Sequence, residues 1–314
     1  MLLVRWRRQI AHVIIAIWSN RKYQVKTILR VVKETPIMSQ SILITGCSSG
    51  IGLDAALTLS QRGWRVFASC RNKADVARMT DEFGLESVLI DYEDQDTIEA
   101  GFQEVLAATG GRLDALFNNG AYAIPGAVED LPTAALRQIF EANFFGWHHL
   151  TRLALPVMRA QGHGRILQNS SVLGFAALRY RGAYNATKFA LEGLTDTIRL
   201  ETDHPHIHFS LIEPGPIRTK IRENSVPHFQ KWITVKGSAH EQLYEKALIP
   251  RLTAINPPKD MFELEADAVT KDVIHALEAP RPRIRYRITT ATKLMMIAKR
   301  LLSSRQMDKL AHRF

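Results

Sequence analysis

From residue 41 onward, apolar runs of strand length alternate with longer stretches of helical periodicity, and this alternation restricts the possible folds more than any other feature of the chain. The runs are SILITG (41–46), RVFASC (65–70), SVLIDY (87–92), LDALFN (113–118), GRILQNSS (164–171), IHFSLIEP (207–214) and RIRYRIT (283–289). Seven strands with six crossovers predict an α/β fold with a doubly wound parallel sheet and helices on both faces. Glycine marks two helix ends: the segment from Gly50 to Arg62 stops at Gly63, and the long one from Pro132 to Gln161 stops at Gly162. With 46% hydrophobic residues, the 314-residue chain can bury this as a single domain. The interval from Gly215 to Phe262 contains no clear strand and is by length either a lid or a disordered excursion. Its Phe229, Trp232, Leu243, Tyr244 and Phe262 favour a lid over an apolar ligand, with no specific polar handle.

The first strand runs into TGCSSGIG, which is either a plain turn or a seat for phosphate. Gly46 allows a tight turn, Gly50 a close approach of backbone to ligand, and Gly52 a contact between helix and strand. A helix that starts here points unpartnered N–H groups at an anion, as in dinucleotide-binding sheets. After the second strand, an acid would bind a ribose 2′-hydroxyl. This chain has Arg71 instead, and a forked guanidinium suits a 2′-phosphate, to which Ser49 can add its hydroxyl. NADP(H) is therefore expected in preference to NAD(H); the alternative for Arg71 is an ordinary surface arginine.

Further on, Tyr184 and Lys188 stand four residues apart and share one face if residues 183–200 are helical. A phenol titrates near pH 10. A neighbouring ammonium is expected to favour the phenolate and bring it toward operating pH, as proton transfer requires. Ser170 and Ser171 close the fifth strand, at the sheet edge where ligands of such folds bind. Asn143 is a polar residue in the otherwise apolar FEANFFGW, and a water relay to Lys188 would satisfy a buried amide there.

The set TGCSSGIG, NNGA, Asn143, Ser171, Tyr184-x-x-x-Lys188 and PGPIRT resembles the short-chain dehydrogenase/reductase family across roughly residues 40–290. TGCSSGIG, Arg71 and SLIEPGPIRT are most similar to its hydroxysteroid and retinol dehydrogenase branch and bacterial relatives. The resemblance implies a Rossmann-type fold with Tyr184 as catalytic acid/base, Lys188 as pKa modifier and ribose ligand, Ser171 as substrate orienter and Asn143 as holder of a relay water. It further implies cofactor contacts from Ser48, Ser49 and Ile51 beside the glycines, Asp91 by the adenine, and Pro214, Gly215, Ile217 and Thr219 by the nicotinamide. Asn118 would stabilise the sheet next to the cofactor. One departure stands out: the family's usual Asn-Asn-Ala-Gly is here Asn118, Asn119, Gly120, Ala121, and a methyl at Ala121 is expected to weaken cofactor binding modestly.

The net charge of +10 is concentrated at the ends. Residues 1–38 carry eight Lys/Arg against Glu34 and residues 281–314 carry ten against Asp308, which leaves the middle at −6. A basic nucleic-acid binder is therefore disfavoured. IAHVIIAIW, at nine residues, falls well short of the roughly 20 needed to span a bilayer. The 1–38 extension is read as an interfacial anchor, a disordered tail or a start placed ahead of Met38. Cys47 and Cys70 are too few for a disulfide framework and fit a cytoplasmic protein. His204, His206 and His208 alternate as on a strand, but no acidic or cysteinyl partner accompanies them, so no metal is expected. An amphipathic C-terminal helix over 290–312 places Leu294, Ile297, Leu301 and Leu302 on one stripe, to pack on a second subunit, to cover the substrate mouth or to touch membrane. The reading is an NADP(H)-dependent aldehyde or ketone reductase for hydrophobic molecules, forming a homodimer or tetramer. The competing readings are an NAD-dependent alcohol or hydroxysteroid dehydrogenase and a catalytically silent nucleotide-binding regulator.

Overall fold

The computed structural model describes residues 39–255 and 258–312. The expectations for the 1–38 extension lie outside the described residues. β1 (Ser41–Ile44) leads through α1 (Gly50–Gln61) to β2 (Arg65–Cys70), then α2 (Lys73–Phe83), β3 (Glu86–Leu89), α3 (Gln95–Thr109) and β4 (Ala115–Asn118). After β4 come α4 (Thr133–Phe140), a π-helical turn (Glu141–Phe145), α5 (Gly146–Gln161), β5 (Gly164–Asn169), α6 (Gly182–Glu201) and β6 (Ile207–Pro214). The chain then forms α7 (Ile221–Trp232), α8 (Glu241–Leu243), a second π turn (Tyr244–Leu248), α9 (Ile249–Thr253), α10 (Asp267–Glu278), β7 (Arg285–Ile288), α11 (Thr290–Leu301) and α12 (Ser304–Ala311).

All seven strands are parallel, in the order β3-β2-β1-β4-β5-β6-β7. The order reverses between β1 and β4, and in such sheets the crevice beyond that point is where ligands bind. Side chains of β1 alternate between two buried layers. Ile42 and Ile44 pack with Ala55 and Leu59 of α1 and with Val269 and Val273 of α10. Leu43 faces the other way, toward Phe102 of α3, Trp147 of α5 and Leu191 of α6. Because helices cover both faces, the central strands read as continuous apolar runs.

Local chemistry sets the helix limits. Asn72 accepts from Asp75 N at 2.8 Å to start α2, and Asp94 accepts from Asp96 N at 3.0 Å to start α3. Gly84, Gly110 and Gly162 end α2, α3 and α5 with φ of 65°, 67° and 82°.

Four expectations need correction. The helix expected from Pro132 to Gln161 is divided by the π turn that carries Asn143. For the interval 215–262, which holds no strand as expected, the disordered alternative gives way, since α7, α8 and α9 occupy its described part. The C-terminal helix is two helices, because Leu302 leaves the helical region at ψ 144° and Ser303 begins α12 with a capping box to Gln306. His204 and His206 precede β6, so only His208 of the three lies on the strand. Among the described residues no three His, Cys, Asp or Glu side chains converge as metal ligands.

Candidate active site

Thr45 follows β1, and its buried hydroxyl oxygen accepts from Asn119 N at 2.8 Å and Gly120 N at 3.2 Å. This ties the first glycine turn to the loop after β4. Gly46, at φ 68°, lies so close to that loop that a Cβ on it would stand 2.5 Å from Gly120 Cα. Ser49 caps α1 in an extended conformation but makes no side-chain bond to the helix, and the first turn holds no acid. The opening N–H groups of α1 therefore face the cavity walled here by Ser48, Ser49, Gly50 and Ile51 with no protein carboxylate in place. Gly52 does not reach the cavity. A Cβ there would collide with the Gly46 carbonyl and lie 2.7 Å from Asn119 Nδ2. Gly52→Ala is thus expected to cost about 1–3 kcal/mol of stability by overpacking, read from urea denaturation; an unchanged midpoint would show that the turn gives way freely.

Arg71 directly follows β2 and lies exposed on the cavity wall, near Asp91 two residues beyond β3. Asn118 is fully buried and does not line the cavity: it accepts from the Tyr92 hydroxyl at 2.6 Å and donates to Thr151 Oγ1 at 3.1 Å. Its part is to hold the sheet, and Asn119 and Gly120 form the wall beside it. The swapped Gly120-Ala121 pair has a physical basis. A Cβ on Gly120 would lie 3.2 Å from Gly46 N, whereas the Ala121 methyl packs against the apolar layer beneath the sheet.

Ser171, Tyr184 and Lys188 line the same cavity. Ser171 begins the turn after β5, and its Oγ accepts from Leu173 N at 3.1 Å, which fixes the hydroxyl oxygen and leaves its proton available. Tyr184 and Lys188 sit in the first two turns of α6. Lys188 is 1% exposed. Its Nζ donates to Asn169 O at 2.7 Å and lies 4.1 Å from the centre of the Trp147 ring and 5.5 Å from that of Tyr184. Burial pushes the ammonium down to about 7, with Glu192 opposing. The phenol moves the other way from the sequence expectation: burial raises Tyr184 above its usual value, and the Ser171 hydroxyl offsets part of this. Of the pair, the lysine proton is the one loosened. Asn143 is fully buried on the π turn, donating to Tyr122 O at 2.8 Å and accepting from Tyr122 N at 3.2 Å. Its amide is occupied by the loop after β4 and by Thr187 Oγ1 at 3.5 Å, so it braces that loop against α6.

Pro214, Gly215, Ile217 and Thr219 continue the wall beyond β6. The cavity, of about 1530 Å³, is lined further by Leu248 and Leu252 and by Leu294 and Ile297 of α11. Over its inner end, His228 of α7 stacks on Tyr122 with ring centres 3.8 Å apart. Burial, with Arg71 and Lys231, pushes this imidazole down to about 4, so it stacks in neutral form.

The profile of short chain dehydrogenases matches residues 40–229. The chain belongs to this family. A 274-residue match to the uncharacterized oxidoreductase YbbO of Escherichia coli is 40% identical and covers 87% of this chain and 94% of the relative. Human 17-beta-hydroxysteroid dehydrogenase type 1 is 30% identical over 83% of this chain and 80% of its own length. A short-chain dehydrogenase structure from Streptomyces avermitilis superposes with a TM-score of 0.68 at 26% identity, covering 84% of this chain and 93% of that one.

As a short-chain dehydrogenase the protein is an oxidoreductase, and its residues fit the family's nicotinamide dinucleotide. The start of α1, with no side-chain cap and no acid, would receive its phosphates beside Gly46, and Arg71 lines the same cavity. Sequence reasoning missed Arg78, whose guanidinium donates to Ser48 O at 2.6 Å and props the turn. It also missed Asn169 and Trp147, which hold Lys188. Both lie far from Lys188 along the chain, and no periodicity marks them.

Proposed function

We propose that this short-chain dehydrogenase is an NADP(H)-dependent reductase of aldehydes or ketones carried on hydrophobic molecules. The observation that carries the reading is the convergence of Ser171, Tyr184 and Lys188 on a single cavity with Arg71 at one end and an apolar wall at the other. When bound, the nicotinamide supplies the reducing equivalent. The chain supplies the proton: a phenol that burial keeps protonated at neutral pH is in the state needed to give a proton to a carbonyl oxygen. Ser171, with its oxygen fixed by Leu173 N, donates to the same oxygen and orients it. Lys188 binds the ribose and, while protonated, places positive charge near the phenol. Two buried free cysteines agree with a cytoplasmic setting. Among the described residues no helix is long and apolar enough to cross a membrane.

A second reading is oxidation of secondary alcohols with NAD, and the hydroxysteroid dehydrogenase among the relatives favours its substrate part. Arg71→Asp separates the two. Loss of a charge-assisted pair and gain of repulsion toward a 2′-phosphate should lower the ratio of NADPH to NADH kcat/KM by about 100-fold. The assay is cofactor oxidation with octanal. An unchanged ratio would remove Arg71 from cofactor choice and favour the NAD reading.

A further inference from the structure

The leucine-lined part of the cavity is apolar but not neutral. Arg181 precedes α6, Arg222 lies on α7 and Arg251 on α9, and all three line the cavity. Asp260 is shared: its Oδ2 takes Arg222 Nη2 at 2.8 Å and its Oδ1 takes Arg251 Nη2 at 2.8 Å. Both oxygens of that carboxylate are thereby engaged. Arg181 has no ion pair or side-chain hydrogen bond among the described residues. Two further acids line this wall: Glu263 is held by Arg218 at 2.8 Å and also feels the charge of Arg222, and Glu223 pairs with none of the three arginines. Of the three guanidinium groups in this largely apolar site, that of Arg181 is therefore the one left without a carboxylate partner among the described residues.

We propose that this arginine cluster binds the carboxylate of a substrate whose remaining surface is apolar, with Arg181 as the principal contact. The proposal rests on the reductase reading above and names the substrate class for that site. A planar guanidinium takes a carboxylate through two parallel N–H bonds, the same arrangement that Asp260 partly satisfies for its neighbours. Arg181 stands three residues before Tyr184 at the same end of α6. A ligand carboxylate held there shares one cavity with the phenol, so a single small molecule can reach both. Leu248, Leu252 and Leu294 border the space left for its hydrocarbon part. Burial and the charges of Arg251 and Arg222 push the Arg181 guanidinium down to about 10, so an arriving anion relieves an existing repulsion. The sequence shows no polar handle in the lid because the three arginines are scattered and meet only when α6, α7 and α9 come together.

Binding of sodium octanoate and of 1-octanol to the full chain, measured by isothermal titration calorimetry, tests the site without turnover. Octanoate is expected to bind at least about tenfold more tightly than 1-octanol, the scale of one charge-assisted pair. In Arg181→Gln the two affinities should fall within about twofold of each other, and Arg181→Lys, which keeps the charge without the fork, should fall between. Equal affinities in the unmodified protein overturn the proposal even if both variants fail to fold. An octanoate preference that survives Arg181→Gln overturns the assignment to Arg181. Turnover is read separately with 8-oxooctanoate, which carries both an aldehyde and the carboxylate, and with octanal: preference for octanoate without turnover of either aldehyde keeps the site and sinks the reductase reading, whereas turnover without the preference sinks the site alone.

Discussion

Tyr184→Phe, which removes a single oxygen atom, is expected to lower kcat for octanal reduction by about 10²–10⁴-fold. That is about 3–5 kcal/mol of barrier, far more than the change in stability, because the ring and its packing are retained. The phenol lines the cavity between the Ser171 hydroxyl and the Lys188 amine, and no other described group on this wall combines a transferable proton with that position. Thermal unfolding of the variant should match the parent within a few degrees, so lost turnover would report chemistry and not folding. Turnover at the parent rate would eliminate Tyr184 as the proton donor.

Lys188→Met is expected to reduce kcat/KM by about 10²–10³-fold, since it takes away the charge near the phenol and a ribose ligand together. Its effect on stability has a distinct dependence on pH. The folded protein releases the Lys188 proton near pH 7, whereas an unfolded lysine keeps its proton to about 10.5. Between those values the unfolded chain binds more protons, so this group makes the parent's stability rise with pH; below about pH 7 its contribution is constant and lowest. The slope reaches about 1.4 kcal/mol per pH unit at its steepest. In the methionine variant that component should vanish, which urea denaturation at pH 6, 8 and 9.5 would reveal. Parallel stability curves for the two proteins would mean that Lys188 keeps an ordinary proton affinity inside the fold.

Much of this arrangement is legible in the sequence because it is local. Strand-length apolar runs gave the seven strands, and glycine spacing gave the turn, where Gly46 takes a positive φ against Gly120 and Gly52 packs on the Gly46 carbonyl. A spacing of four residues put Tyr184 and Lys188 on one face of α6. What escaped depends on contacts distant in the chain. The π turn at Asn143 goes with a two-way bond between its amide and the Tyr122 backbone, 21 residues away. The direction of the Tyr184 shift follows from how deeply α6 is covered, which periodicity does not reveal. The break at Leu302 was hidden for another reason: the apolar stripe continues past it, and only the Ser303–Gln306 capping box marks a new helix.

The cavity is assembled from two stretches of chain with little overlap. Its inner half comes from residues between Thr45 and Tyr122, at the ends of β1 through β4, and its outer half comes mainly from residues after Pro214. The β5–α6 segment, with Ser171, Tyr184 and Lys188, lies between them in the chain, and Thr219 of the later stretch stands against Gly50 of the earlier one. Such a plan would let the later stretch be altered to suit a different molecule without disturbing the glycine turn.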